Sequence, residues 1–312
     1  MEIWWQTDEM QGYVQEVLIH INGAREAGIN STERCKRLFD ALNKLWSAHN
    51  QNYFAFHGRY YDTESNEHPS DNKSLFALLT QGIPDALQEE LAFSPELQQL
   101  VEFDPKILNH DVLRRHRYVP GQQIEPTLLG KANETHKKLS NAYIRFTAEK
   151  SAITQTAVLK KAAQLIYVVR SNIAHGEKTP YGPDKEKVQR DEQVCAKVAP
   201  LLALIINLIF DKPDHKFLVY GTLAPGQPNH MVIENLHGTW VNCQITGQLK
   251  ETNGLMHLNW HPYADDIQVK MFTSDDLPQS WSAIDKFEGS DYCRILVPAK
   301  IEGTKVITNT YQ

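Results

Sequence analysis

The chain has 312 residues, of which 41% are hydrophobic, 9% aromatic and 22% charged, a globular composition with enough chain for about two domains. Four cysteines (Cys35, Cys195, Cys243, Cys293) lie far apart with no Cys-x-x-Cys, which argues against a zinc ribbon and a disulfide scaffold and fits a reducing cytoplasm. The net charge of −6 is unevenly spread: residues 1–104 carry 7 basic and 17 acidic side chains, whereas residues 105–170 carry 12 and 4. Only the basic block has the sign that a phosphate backbone attracts, and it includes Arg114, Arg115 and Arg117.

In chain order, Val14, Val17, Leu18 and Ile21, then Leu38, Leu42, Leu45, Trp46 and His49, recur at spacings of three and four and predict two amphipathic helices between about residues 10 and 56. Residues 57–73 are polar and rich in turn formers and predict a loop. Shorter helices broken by prolines follow, then one long helix from Thr127 to about Ile173 and a last one from about Glu186 to Phe210. Its most apolar run, Val198 to Phe210, is about a dozen residues, short of the roughly 20 that cross a bilayer, so a buried helix is expected and no membrane association. Met1-Glu-Ile-Trp-Trp is not the start of a charged-then-apolar signal segment, and a cytoplasmic protein is expected.

After Asp211-Lys212-Pro213-Asp214 the pattern changes to short β-type runs: Phe217–Tyr220, Gly238–Val241, Gln244–Leu249, Ile267–Phe272, Arg294–Val297 and Lys305–Thr308. Two domains are therefore expected, a helical one over 1–212, with an insertion at about 57–139, and a small mixed β domain over 213–312.

Within the second domain, Tyr220-Gly-Thr-Leu-Ala-Pro-Gly follows an apolar strand, where a glycine lets backbone N–H groups turn toward a bound anion or carboxylate. Farther on come Gly238-Thr-Trp240, Ile245-Thr-Gly-Gln-Leu249, Phe272 to Pro278, and a short helix ending in Asp285-Lys-Phe-Glu288-Gly289, followed by Tyr292 and Arg294. Together these motifs resemble the gamma-glutamylcyclotransferase-like, or AIG2-like, superfamily and its short bacterial branch, over about 217–312. The resemblance implies a small mixed β barrel. It implies a loop, Tyr220, Gly221, Thr222 and Leu223, that holds a gamma-glutamyl small molecule, and a carboxylate, Glu288, that takes a proton from its α-amino group. Where that branch has a Gly-Tyr-Pro segment lining the pocket, this chain has Leu258-Asn-Trp-His-Pro262. Taken alone, Glu288 before Gly289 is also simply what ends a helix.

In the helical part, Arg170-Ser171-Asn172-Ile173-Ala174-His175-Gly176 closes the basic stretch. It resembles the Arg-polar-x-x-x-His motif of the HEPN superfamily, and Leu42 to Tyr53 is similar to a helix of some HEPN branches, with His49 where phenylalanine is usual. That resemblance implies an all-α HEPN-like domain. It also implies metal-independent RNA cleavage by Arg170, Ser171 and His175 across a homodimer, with Arg114, Arg115 and Arg117 as candidate RNA contacts. Five residues of helix rotate through roughly 140°, so Arg170 and His175 do not share one face of a continuous helix. The plainer alternative pairs Arg170 with a carboxylate and leaves His175 as a helix cap. His257 and His261 lie four apart without a third ligand, so neither a metal nor a cofactor is expected. The combined expectation is a bacterial stress or defence ribonuclease coupled to a barrel that senses or converts a gamma-glutamyl compound. A metabolic cyclotransferase and a two-site binding protein are the alternatives.

Overall fold

The computed structural model describes residues 4–29, 31–57, 70–103, 133–174, 185–252, 254–261 and 264–312. They form two compact units, Ile19–Leu208 and a second one that joins Met1–Leu18 to Ile209–Gln312.

The helical unit contains α2 (Thr32–His57), α3 (Asp71–Ala77), α4 (Asp85–Phe93), α5 (Pro95–Glu102), α6 (Glu134–Glu149), α7 (Ala152–Ala174) and most of α8 (Lys185–Ile209), while α1 (Gln11–Glu26) begins in the other unit. Local chemistry fixes several of these ends. Ser31 Oγ accepts from Arg34 N at 3.1 Å at the start of α2, and Ser94 Oγ caps α5 by accepting from Leu97 N at 3.2 Å. The single helix expected from Thr127 to Ile173 is two helices. Lys150 turns left-handed (φ 46°) with its N–H bonded to Phe146 O, and Ser151 and Thr154 cap the next helix reciprocally. Helix α7 then packs against α2, α3, α4 and α6.

Helix α8 is longer in its apolar part than the sequence reading allowed. By length and composition its segment Asp191–Ile209 would suffice to cross a membrane. However, Val194, Val198, Leu201, Leu202 and Ile205 are buried, as in a core helix. Pro200 lies on the exposed side of this helix, away from the core.

The other unit is a mixed sheet of β1 (Lys216–Val219), β2 (Thr239–Thr252), β3 (Leu255–Trp260), β4 (Asp266–Thr273), β5 (Arg294–Ile301) and β6 (Thr304–Tyr311), with α9 (Leu277–Glu288) between β4 and β5. The order is β3-β2-β4-β1-β6-β5, and a bridge between Gln244 and Lys300 closes β5 back onto β2 as a barrel. Among the described strands only β1 and β6 run parallel. The two runs expected at 238–241 and 244–249 are one long strand that changes partner at Gly247, pairing with β4 before it and with β3 from it onward. A Cβ there would lie 3.0 Å from Asn259 O, so the residue must be small.

Side-chain alternation builds two cores. Leu218, Cys243, Ile245, Met271, Ile295 and Val297 fill the barrel, whereas Phe217, Val219 and Phe272 point the other way against Leu277, Trp281 and Ile284 of α9.

The compact units divide at 208/209, where the expected domain boundary was 212/213, and the chain's first turns go with the barrel. Trp5 is 1% exposed, donates its indole N–H to Ile209 O at 2.9 Å and meets Phe210 edge-on at 5.2 Å. Gln6 Nε2 donates to Lys305 O at 2.7 Å, and Lys305 Nζ pairs with Asp8 at 2.6 Å. Helical periodicity at 11–26 hid this, because long-range docking of a short segment leaves no periodic trace.

Candidate active site

Strand β1 delivers Tyr220-Gly221-Thr222-Leu223 to the mouth of the barrel. The carbonyls of this segment fold back into its own loop: Gly221 O accepts from Ala224 N at 3.1 Å, Thr222 O from Asn229 N at 3.1 Å, and His230 Nδ1 lies 2.9 Å from Leu223 O. Asn229 Nδ2 also donates to Thr222 Oγ1 at 3.0 Å. The backbone N–H groups of Gly221, Thr222 and Leu223 donate to no acceptor among the described residues. A Cβ added to Gly221 would meet nothing within 4 Å. The glycine is therefore not demanded by packing, and it keeps the backbone open to whatever enters the mouth.

Helix α9 brings the other half. It ends at Gly289, whose φ of 73° and N–H to Asp285 O terminate the helix, so Glu288 is the last helical residue. Glu288 is a helix end and a pocket residue at once. The pocket it lines is an open cleft with a cavity volume of about 50 Å³, and is shared with Tyr220–Leu223. Leu255, Met256, Tyr292 and Tyr311 line it as well. Burial raises the Glu288 pKa above the ordinary glutamate value. Its place at a helix C-terminus acts in the same direction, because the macrodipole disfavours an anion there. Among the described residues no hydrogen-bond donor or cation is paired with its carboxylate.

The tyrosines around Glu288 are committed to the protein. Tyr220 donates its phenol to Tyr311 O at 2.8 Å, so this hydroxyl braces the loop from beneath. Tyr292 donates to Met256 O at 3.2 Å and stacks on His257 at 4.9 Å. Tyr311 donates to Asp285 Oδ1 at 2.6 Å. Burial is the main cause that raises the pKa of all three. The structure thus brings together Tyr220, Gly221, Thr222, Leu223 and Glu288. Sequence reasoning missed Leu255, Met256 and Tyr311. The first two belong to β3, the strand the period-2 pattern did not reveal, and Leu258 of the departing segment points into the barrel core. Pro262 lies outside the described residues. His257 belongs to β3 and His261 follows it, so helical spacing does not apply to them.

Residues 217–312 match the family model described as gamma-glutamyl cyclotransferase, AIG2-like. This part of the chain is an AIG2-like domain. Among solved structures, an AIG2-like protein from Mus musculus is similar at 24% identity, covering 31% of this chain and 76% of that one, with a TM-score of 0.26. An uncharacterised protein from Pyrococcus horikoshii is similar at 20% identity, over 31% of this chain and 75% of that one, TM-score 0.25. A serine-to-alanine variant of Kluyveromyces lactis allophanate hydrolase is similar at 10% identity over 80% of this chain and 53% of that one, TM-score 0.24. Comparison with curated proteins finds no match.

The family match to the AIG2-like domain does not reach the helical unit, where the HEPN resemblance is not shown. Arg170 is on α7, and its guanidinium lies 5.6 Å from the centre of the Trp46 ring and 3.5 Å from Asp71 Oδ2. Ser171 is the next residue of the same helix and half-buried. His49, which stands for the usual phenylalanine, is fully buried, and desolvation lowers its pKa to about 3, so it serves the core as a neutral ring. His175, Arg114, Arg115 and Arg117 lie outside the described residues. Among the described residues no group of three or more His, Cys, Asp and Glu has the arrangement of a metal site.

Proposed function

We propose that the AIG2-like domain is a gamma-glutamyl cyclotransferase that releases an amine and forms 5-oxoproline. One observation carries the reading. The carboxylate whose pKa is raised, Glu288, lines the same pocket as Gly221, Thr222 and Leu223, whose backbone N–H groups donate to no acceptor among the described residues. Such a pairing suits a proton acceptor facing a centre where negative charge develops.

The steps follow from the residues. The N–H groups of Gly221 to Leu223 take the substrate's oxygen atoms and orient the gamma-glutamyl group. Glu288 accepts a proton from the α-ammonium group, and the freed amine attacks the γ-carbonyl carbon. As the five-membered ring closes, the amide C–N bond breaks, and the departing amine takes both the proton held by Glu288 and the second one shed by the ring nitrogen, so that it leaves as an ammonium group. Charge and atoms balance without a metal or cofactor in the scheme. A raised pKa serves both transfers, since the carboxylate must take the proton and then return it. The test is 5-oxoproline release from gamma-glutamyl amines by the full chain, and its loss in Glu288→Gln.

A metal-independent ribonuclease in the helical unit, acting on RNA as a homodimer, is the second proposal. What supports it is the Arg170-Ser171-His175 motif and a guanidinium that is still 29% exposed. The contacts of Arg170 with Trp46 and Asp71 favour the plainer structural use. RNA cleavage in excess chelator separates the two.

A further inference from the structure

We infer that Tyr311 is a positioning residue that holds the substrate loop and the general base in register with one another. This rests on the cyclotransferase reading of the pocket.

Tyr311 reaches both halves of the site through different atoms. Its carbonyl accepts the Tyr220 phenol at 2.8 Å, and Tyr220 immediately precedes Gly221. Its own hydroxyl donates to Asp285 Oδ1 at 2.6 Å. Asp285 and Glu288 are i and i+3 on α9, so they share a helix face, and a hold on one fixes the turn that carries the other. Arg294, the cross-strand partner of Tyr311, grips the same carboxylate with Nε at 2.8 Å and a terminal nitrogen at 3.1 Å. That guanidinium in turn lies over Trp281 at 4.4 Å.

The Tyr311 ring is 4% exposed and meets Phe217 edge-on at 5.8 Å, which fixes the direction of its hydroxyl. Burial and the bond to Asp285 both disfavour loss of its proton, so the phenol is suited to holding a carboxylate and not to exchanging protons with substrate. Without that hydroxyl, α9 would keep its grip on β5 through Arg294 but lose its bond to β6, the strand that braces Tyr220. A misplacement of about 1 Å between reacting groups costs on the order of 100-fold in rate.

The test uses the full chain and a panel of gamma-glutamyl amides, with kcat, KM and the thermal midpoint measured for the unmodified protein, Tyr311→Phe, Asp285→Asn and the double variant. Tyr311→Phe keeps the ring and its packing. It is expected to lower kcat by about 10- to 100-fold with KM nearly unchanged and little loss of thermal midpoint. The double variant is expected to be no worse than Asp285→Asn alone, because the hydroxyl that Tyr311→Phe removes acts through the Asp285 carboxylate. Unchanged kcat in Tyr311→Phe would overturn the inference. So would a kcat loss that merely follows a fall in thermal midpoint. No turnover by the unmodified protein would overturn the cyclotransferase reading and this assignment with it, and that result is seen before any variant is made.

Discussion

Gly221 and Glu288, the last residue of α9, line one pocket although three strands come between them in the chain. Gly221 is not among the glycines with positive φ and has open space where a Cβ would stand, in contrast to Gly238, whose Cβ would fall 2.4 Å from Thr273 O and 2.6 Å from the Phe272 ring. Gly221→Ala is therefore expected to change stability by less than about 0.5 kcal/mol while raising KM for the gamma-glutamyl substrate. Gly238→Ala should cost roughly 1–3 kcal/mol through overpacking. Thermal unfolding and steady-state kinetics on the two variants give the comparison.

The raised pKa of Glu288 makes a signed prediction for pH. In the folded chain the group holds its proton more tightly than in the unfolded chain, so stability falls as pH rises from the ordinary glutamate value through the folded one. Glu288→Gln removes that decline. The variant is expected to match the unmodified protein in acid and to be the more stable of the two at neutral pH, as read by denaturant unfolding at several pH values. The acid limb of kcat against pH should correspondingly lie above the range of an exposed glutamate.

Trp5 is expected to matter to the unit that holds the barrel and the end of α8, and not to α3–α7. Trp5→Ala removes a buried indole, its bond to Ile209 O and its contact with Phe210, and should cost about 3–5 kcal/mol. Tryptophan fluorescence and hydrogen exchange of β6 peptides report the change, and loss of protection confined to α3–α7 would contradict it.

These cases show what could be read from residues alone. The change from helical to strand periodicity near Pro213 was legible because it is a property of neighbouring residues, and so was the loop after β1, where an apolar run meets a glycine. The break at Lys150 was not, since a lysine takes the left-handed position that glycine usually marks. Strand β3 escaped notice because only Leu258 of its side chains is fully buried. Tyr311 looked like any strand residue, and its role follows from partners 26 and 91 residues away.

For the helical unit, Arg170→Ala is expected to lower stability by about 1 kcal/mol, the scale of one partly exposed cation–π contact with a weak ion pair. If the ribonuclease proposal holds, the unmodified protein cleaves single-stranded RNA in excess chelator and His175→Ala does not. A folded protein that cleaves nothing removes that proposal and leaves Arg170 a structural residue.

The most direct measurement is 5-oxoproline formation from a panel of gamma-glutamyl amines by the unmodified chain and by Glu288→Gln. Turnover by the first, reduced by at least about 100-fold in the second with the fold intact, is the expected result. Equal turnover by both, or none by the unmodified protein, would contradict the assignment of Glu288 as the base of a cyclotransferase.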